Sequence, residues 1–214
     1  MALSIRFAAE ADAIAVARVK ASAFKHNQIE RAMYPVLNDQ VMEAWLYEEA
    51  IRDIQDPRVQ ILVLTDNSTG EIVAGVRLMI PIKRGQGLPP PTKTESPYPA
   101  GSKVDLCRAF SASLHAARTK HRDEANDYAL KSLSTLKNHQ NRGCASILIQ
   151  WVVSRADSEG ARIYLEATEA TCGLYAKYGW EKVDEFVTDL SKFGAEGIER
   201  TIVMMKKPVT TSTA

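Results

Sequence analysis

The 214-residue chain predicts a mixed α/β fold, an α+β mixed sheet flanked by helices, from three observations. Two runs rich in β-branched residues, Val59 to Thr65 and Glu71 to Ile80, flank the turn-forming stretch Asp66 to Gly70, which makes an antiparallel hairpin the natural reading. A strand at about Tyr128 to Thr135, a helix from near Gly143 to Glu159 and a strand from Arg162 to Ala167 form a strand–helix–strand crossover. Two more strand-like runs, Trp180 to Asp189 and Ile198 to Lys206, supply a second hairpin.

The remaining elements fall between these anchors. Ser4 to Ala8 reads as a short strand, and Asp12 as the N-cap of a helix whose apolar stripe runs from Ala13 through Ile14, Val16, Ala17, Val19 and Ala21 to Phe24. A loop ending near Pro35 leads to a second helix, Asp39 to Ile54, with Val41, Ala44, Trp45 and Ile51 on its apolar side. Asp56-Pro57 stops it, because a residue before proline is pushed out of helical geometry. Residues 81–101 hold six of the nine prolines and read as a long loop, either functional or idle. Helix returns over Val104 to Lys120. Gly160 ends the crossover helix, and a short helix from Thr171 to Tyr178 ends at Gly179. The expected organisation is one domain over residues 1–207, with a Pro-rich insertion at about 81–103 and a polar tail at 208–214.

Composition narrows the function classes. A content of 45% hydrophobic and 25% charged residues is that of a globular protein, and a net charge of +1 lacks the basic excess that gripping nucleic acid requires. Cys107, Cys144 and Cys172 are odd in number and widely spaced, so no disulfide framework is implied. Arg6, Glu10 and Asp12 interrupt any signal-like apolar run near the start, and no stretch approaches the ~18 apolar residues of a membrane span. A cytoplasmic protein without membrane or nucleic-acid partners is expected.

The chemistry concentrates between Leu130 and Ser146. There a strand runs into a turn, Gln140-Asn141-Arg142-Gly143-Cys144-Ala145, that opens onto a helix. Small residues at Gly143, Ala145 and Ser146 let a ligand approach the backbone, and the first-turn N–H groups point outward at the positive end of the helix dipole. That is a site for a pyrophosphate, to which Arg142 adds a charge-assisted contact. A bare helix start would look the same. Neither G-x-x-x-x-G-K-S/T nor a strand-borne G-x-G-x-x-G is present, which argues against P-loop and dinucleotide-binding sites. Asp105, Cys107, His115 and His121 match no common zinc spacing, so no metal is expected.

These residues resemble a known family. Gln140 to Ala145 is similar to the Q/R-x-x-G-x-G/A acetyl-CoA motif of the GNAT superfamily of N-acetyltransferases, and Leu174-Tyr175-Ala176-Lys177-Tyr178-Gly179-Trp180 to its L-Y-x-K-x-G-F/W segment. The opening strand and helix resemble those of the family, and Leu190 to Gly194 resembles an L-S-K-F/Y-G stretch of fungal members. The resemblance is poorest over 25–57 and 81–127. Lys137 stands where many relatives have proline, and Thr168 where many have asparagine.

The resemblance implies acetyl-CoA as acyl donor and direct attack by an amine in a ternary complex, without an acyl-enzyme. It implies that Leu133, Ser134 and Thr135 lend backbone to the pantetheine arm, with Thr168 nearby, and that Gln140, Asn141, Arg142, Gly143, Cys144, Ala145 and Ser146 cradle the pyrophosphate. Tyr175 corresponds to the tyrosine that protonates the departing thiolate and touches the cofactor. Glu166 and Asp127 are the carboxylates that topology places for a general base, while Asp105 and Glu124 lie where an acceptor pocket would form. Cys144 and Cys172 have no base partner and read as packing residues, and Arg118 to Arg122 as a basic cluster that is either a solvated face or turned to the CoA 3′-phosphate or an acidic partner. The acceptor is expected to be a small amine and the protein a monomer or homodimer. A protein or peptide acetyltransferase, or a non-catalytic CoA-binding module, are the competing readings.

Overall fold

Where the β-branched runs alternate, the chain extends, and where apolar residues recur at helical spacing, it coils. In the computed structural model, which describes residues 2–82 and 98–209, these elements build a mixed α/β fold. The strands are β1 (Leu3–Phe7), β2 (Val59–Asp66), β3 (Ile72–Met79), β4 (Tyr128–Thr135), β5 (Ile163–Thr168), β6 (Trp180–Asp189) and β7 (Ile198–Lys206). They form one sheet in the order β1-β2-β3-β4-β5-β7-β6. Every neighbouring pair is antiparallel except β4 and β5, which the crossover helix makes parallel.

The helices are α1 (Ala13–Phe24), α2 (Gln28–Met33), α3 (Asp39–Gln55), α4 (Val104–His121), α5 (Cys144–Ser158) and α6 (Glu169–Ala176). Period-two alternation divides them between the two faces of the sheet. Leu62, Leu64, Leu130, Ile163 and Leu165 turn toward α5, whose Leu148, Ile149 and Val152 complete the main apolar cluster. Their strand neighbours Ile61 and Val63 turn the other way, onto Val19 of α1. Tyr164, Val203 and Met205 likewise pack on Ala117 of α4. A smaller cluster joins Ile29, Ala32 and Met33 of α2 to Leu106 and Cys107 of α4 and to Leu190. No helix among the described residues is long and apolar enough to cross a membrane.

Three sequence expectations change. Asp12 does not cap α1 with its side chain. Its carboxylate instead accepts the Ala9 N–H at 2.8 Å and a two-pronged contact from Arg6, closing a 3-10 turn over Glu10–Asp12. The stretch before Pro35 contains α2, a helix of one and a half turns, rather than loop alone. On α3, Val41 is exposed, and the face turned inward carries Leu46, Ala50 and Asp53. Asp53 is buried with a cation beside it: the half-buried Arg77 of β3 donates to it at 2.5 Å. Most of the Pro-rich insertion and of the 208–214 tail lies outside the described residues.

Candidate functional site

β4 and β5 are paired at only three positions, Tyr128 to Leu130 against Ile163 to Leu165. Beyond them β4 stays paired with β3 through Thr135, and β5 with β7 through Thr168, so their facing edges part. A bulge accounts for the divergence. Leu78 of β3 faces Leu130 and Arg77 faces Ser132, leaving Lys131 as an extra residue on β4. A bulge bends its strand and sharpens the twist. The parted edges carry backbone N–H and C=O groups that neither strand satisfies for the other.

The open end of this seam leads to the N-terminus of α5. After Thr135 the chain makes a 3-10 turn at Lys137–His139 and closes on itself: the Gln140 amide donates to the Thr135 carbonyl at 3.2 Å. Gln140 thus holds the loop together with the side chain that the motif offers to a ligand. Asn141 (φ 59°) and Gly143 (φ 82°) take left-handed conformations. Nothing lies within 4 Å of where a Cβ on Gly143 would stand, so the space above this backbone is open. The first α5 amide with an internal partner is that of Ile147, which donates to the Gly143 carbonyl at 3.1 Å. The N–H groups of Cys144, Ala145 and Ser146 have no acceptor among the described residues. The Cys144 side chain itself is buried in the core, which pushes its thiol pKa up. It packs, as does Cys172, whose thiol donates to the Glu169 carbonyl.

Tyr175 sits on α6, which follows β5 directly and covers the same face as α5. Its ring meets Trp180 edge-on at 5.8 Å. Trp180 is fixed in turn by an indole hydrogen bond to the Ile163 carbonyl at 3.0 Å. The Tyr175 hydroxyl has no hydrogen-bond partner among the described residues, and burial pushes its pKa up to about 12. Thr168, at the end of β5, shares a 2.9 Å hydroxyl contact with Thr171. The fold therefore gathers Leu133, Ser134, Thr135, the Gly143 to Ser146 amides, Thr168 and the α6 tyrosine at one end of two parallel strands.

The two candidate bases stand apart. Asp127 precedes β4, at the closed end of the seam, on the order of 25 Å of strand from the α5 loop. Its carboxylate receives Arg162 through two bonds of 2.8 and 2.7 Å and the Asp123 N–H at 2.8 Å, and is 1% exposed. Glu166 lies where the seam opens, buried on the α4 face. Arg118 donates to its Oε1 at 2.6 Å and the Tyr164 hydroxyl at 3.2 Å, while Lys131 Nζ stands 4.0 Å from its Oε2. The bulge residue Lys131 is enclosed and makes no hydrogen bond. Burial lowers its pKa to about 7, with Glu166 opposing the fall.

Other readings are redirected. Asp105 and Glu124 are solvent-exposed and line neither of the two cavities described below. The basic cluster is spent on the sheet: Arg118 on Glu166, Lys120 and His121 on Asp184, and Arg122 on the Asp127 carbonyl. Among the described residues no three His, Cys, Asp or Glu side chains gather as metal ligands would.

On the face opposite α5 lies a cavity of about 1060 Å³, walled by α1, α2, α3 and the 195–197 loop between β6 and β7. Its inner end, at Lys20 and Leu46, adjoins a crevice of about 30 Å³ that reaches Arg77, Ser132 and Ser134 on β3 and β4. Sequence reasoning missed Glu30 in this wall and Lys131 at the bulge. The signal for each was a charge inside an apolar pattern: Glu30 between Ile29 and Met33, and Lys131 beside Ala129 and Leu130.

Residues 26–180 match the acetyltransferase (GNAT) family. Solved structures share the fold. A Corynebacterium glutamicum protein, "histone acetyltransferase HPA2 and related acetyltransferase", is 19% identical with a TM-score of 0.65, covering 100% of both chains. The C-terminal condensation domain of Ebony, in complex with β-alanyl-dopamine, is 14% identical with a TM-score of 0.70, covering 97% of this chain and 99% of that one. The PaiA N-acetyltransferase of Thermoplasma acidophilum, in complex with coenzyme A, is 14% identical with a TM-score of 0.52 and the same coverage, 97% and 99%. No curated protein matches by sequence. The chain belongs to the GNAT acetyltransferase family and is an acyltransferase.

Proposed function

Starting from that membership, we propose that the protein moves the acetyl group of acetyl-CoA onto a primary amine of a small molecule, by direct attack in a ternary complex. The observation that carries this reading is the seam between β4 and β5 opening onto the uncapped start of α5. Three free N–H groups at the positive end of a helix suit a pyrophosphate, and the open space over Gly143 lets it approach. Two unpaired strand edges suit the amides of a pantetheine arm, with Leu133 to Thr135 on one side and Thr168 on the other. Acetyl-CoA supplies an activated thioester carbonyl. An unpaired β4 N–H stabilises the negative charge that develops on that carbonyl oxygen.

Tyr175 is the proton donor to the departing thiolate. With its pKa pushed up to about 12 it keeps its proton at neutral pH, and its hydroxyl has no competing protein partner. Glu166 is the proton acceptor, acting through water, because it is the candidate carboxylate at the open seam and its Oε2 has no contact closer than Lys131 at 4.0 Å. Asp127 anchors Arg162 at the closed end and takes no part in proton transfer. A cavity recessed among three helices and a loop, and open to solvent on one side, has room for a compact acceptor.

The test is a calorimetric titration with acetyl-CoA. Wild-type protein binds in the micromolar range, and Gly143→Val, which forces a branched side chain into a left-handed residue above the amides, weakens binding more than about tenfold without unfolding the chain. No binding at millimolar acetyl-CoA would leave the loop as a helix start and end the proposal.

A further inference from the structure

The large cavity holds a carboxylate that the reaction described above leaves without a task. Glu30 lies on α2, whose Ile29, Ala32 and Met33 are pinned against α4 and Leu190, so the position of the helix is set by packing rather than by Glu30 itself. Its side chain lines the cavity and makes no hydrogen bond or ion pair among the described residues. Of the charges nearest to it, Lys20 is bonded to Glu49, which also faces Arg77 at 3.7 Å. Burial raises the Glu30 pKa, with Lys20 opposing the rise and Glu49 adding to it.

A second orphan lies in the same wall. The indole N–H of Trp45 is enclosed with no acceptor, and its ring tilts against Tyr34 with centroids 5.6 Å apart. Phe24, Met42 and Leu46 give the cavity apolar walls, while at its rim Lys25 is already paired with Asp39 at 2.7 Å. Asp39 and Glu196 also line the cavity, with Lys20, Lys25 and Arg31, but Glu30 is the carboxylate whose charge is felt at the Tyr34 ring, and an unpaired carboxylate near aromatic rings is a setting for an ammonium group. A half-buried carboxylate without an ion pair is partly desolvated, and a ligand cation offsets that cost.

That ammonium is not the reacting one. The nitrogen that attacks must be neutral and must reach β4, on which the 30 Å³ crevice adjoining the cavity at Lys20 and Leu46 borders at Ser132 and Ser134. Resting on the acetyl-transfer reading, we propose that Glu30 is the specificity-determining residue of the acceptor cavity and that the acceptor is a diamine: one amino group at β4, an apolar spacer between Met42 and Leu46, and a second, non-reacting ammonium on Glu30.

The experiment compares diaminopentane with pentylamine, which share a spacer and differ by one charge, in wild-type protein and in Glu30→Gln. Release of CoA thiol follows turnover, and calorimetry follows acetyl-CoA and diamine binding separately. Wild-type protein is expected to favour the diamine at least about tenfold in kcat/KM. Glu30→Gln should erase the preference by raising the diamine KM, with pentylamine kcat and acetyl-CoA affinity within about twofold of wild type. Glu30→Asp should restore part of the preference. Equal use of both amines by wild-type protein that binds acetyl-CoA would overturn this inference alone. So would a Glu30→Gln variant that binds acetyl-CoA but loses both amines equally. Failure to bind acetyl-CoA would remove the parent reading and this one with it.

Discussion

On the face covered by α5 and α6 the sheet buries Leu62, Leu130, Ile163 and Leu165 against Leu148, Ile149 and Val152. The face under α1, α3 and α4 buries apolar residues as well, but threads charges among them: Lys20 with Glu49, Arg77 with Asp53, and Lys131 near the Arg118–Glu166 pair. The first arrangement gains from every methylene removed from water. The second gives part of that gain back as desolvation, which shows in Asp53, whose pKa burial raises to about 6, and in Lys131, brought down to about 7. The apolar face fixes α5, whose first amides must stay aimed at one place. The charged face borders the two cavities, through Lys20, Glu49, Asp53 and Arg77.

That contrast is testable by substituting on either side. Leu148→Ala removes a fully buried side chain from the apolar face and should cost about 3–5 kcal/mol in urea unfolding, the largest effect expected. A loss below about 1 kcal/mol would mean that this face is loosely packed and the contrast false. Tyr175→Phe takes one oxygen from the same face and should cut kcat about a hundredfold with acetyl-CoA binding and stability nearly unchanged. Equal turnover would leave Tyr175 as a packing residue.

Lys131→Met, on the charged face, should go the other way and stabilise the fold by about 1–2 kcal/mol at neutral pH, since Arg118 still holds Glu166. The sign follows from proton linkage. With its folded pKa near 7 and its unfolded value at the usual lysine level, the unfolded chain binds more protons in between, so wild-type stability rises from about pH 7 toward pH 10. The variant should lack that rise. A parallel pH profile in both proteins would show that Lys131 is solvated.

The same division governs what the sequence discloses. β4, β6 and β7 appear with their observed bounds because alternation and flanking turns are local signals, and the loop at Gly143 is legible because small residues at a helix start have a backbone meaning. The charged face is not local. That Asp53 belongs inside depends on Arg77, 24 positions away, and that Glu166 is occupied depends on Arg118, 48 positions away. α2 escapes notice because a six-residue helix has no period to detect, and it draws its stability from α4. Lys131 looks like an ordinary exposed lysine until the bulge places it between β4 and its neighbours.

The strand order also has a consequence in time. β7 lies between β5 and β6, so β6 touches no other strand until β7 exists. In a chain emerging from its N-terminal end, β5 must wait with a bare edge, and the β6–β7 hairpin must arrive as a finished unit. Residues 195–197, in the connection between those two strands, line the large cavity. The N-terminus of α5 is therefore made before the large cavity has its last wall.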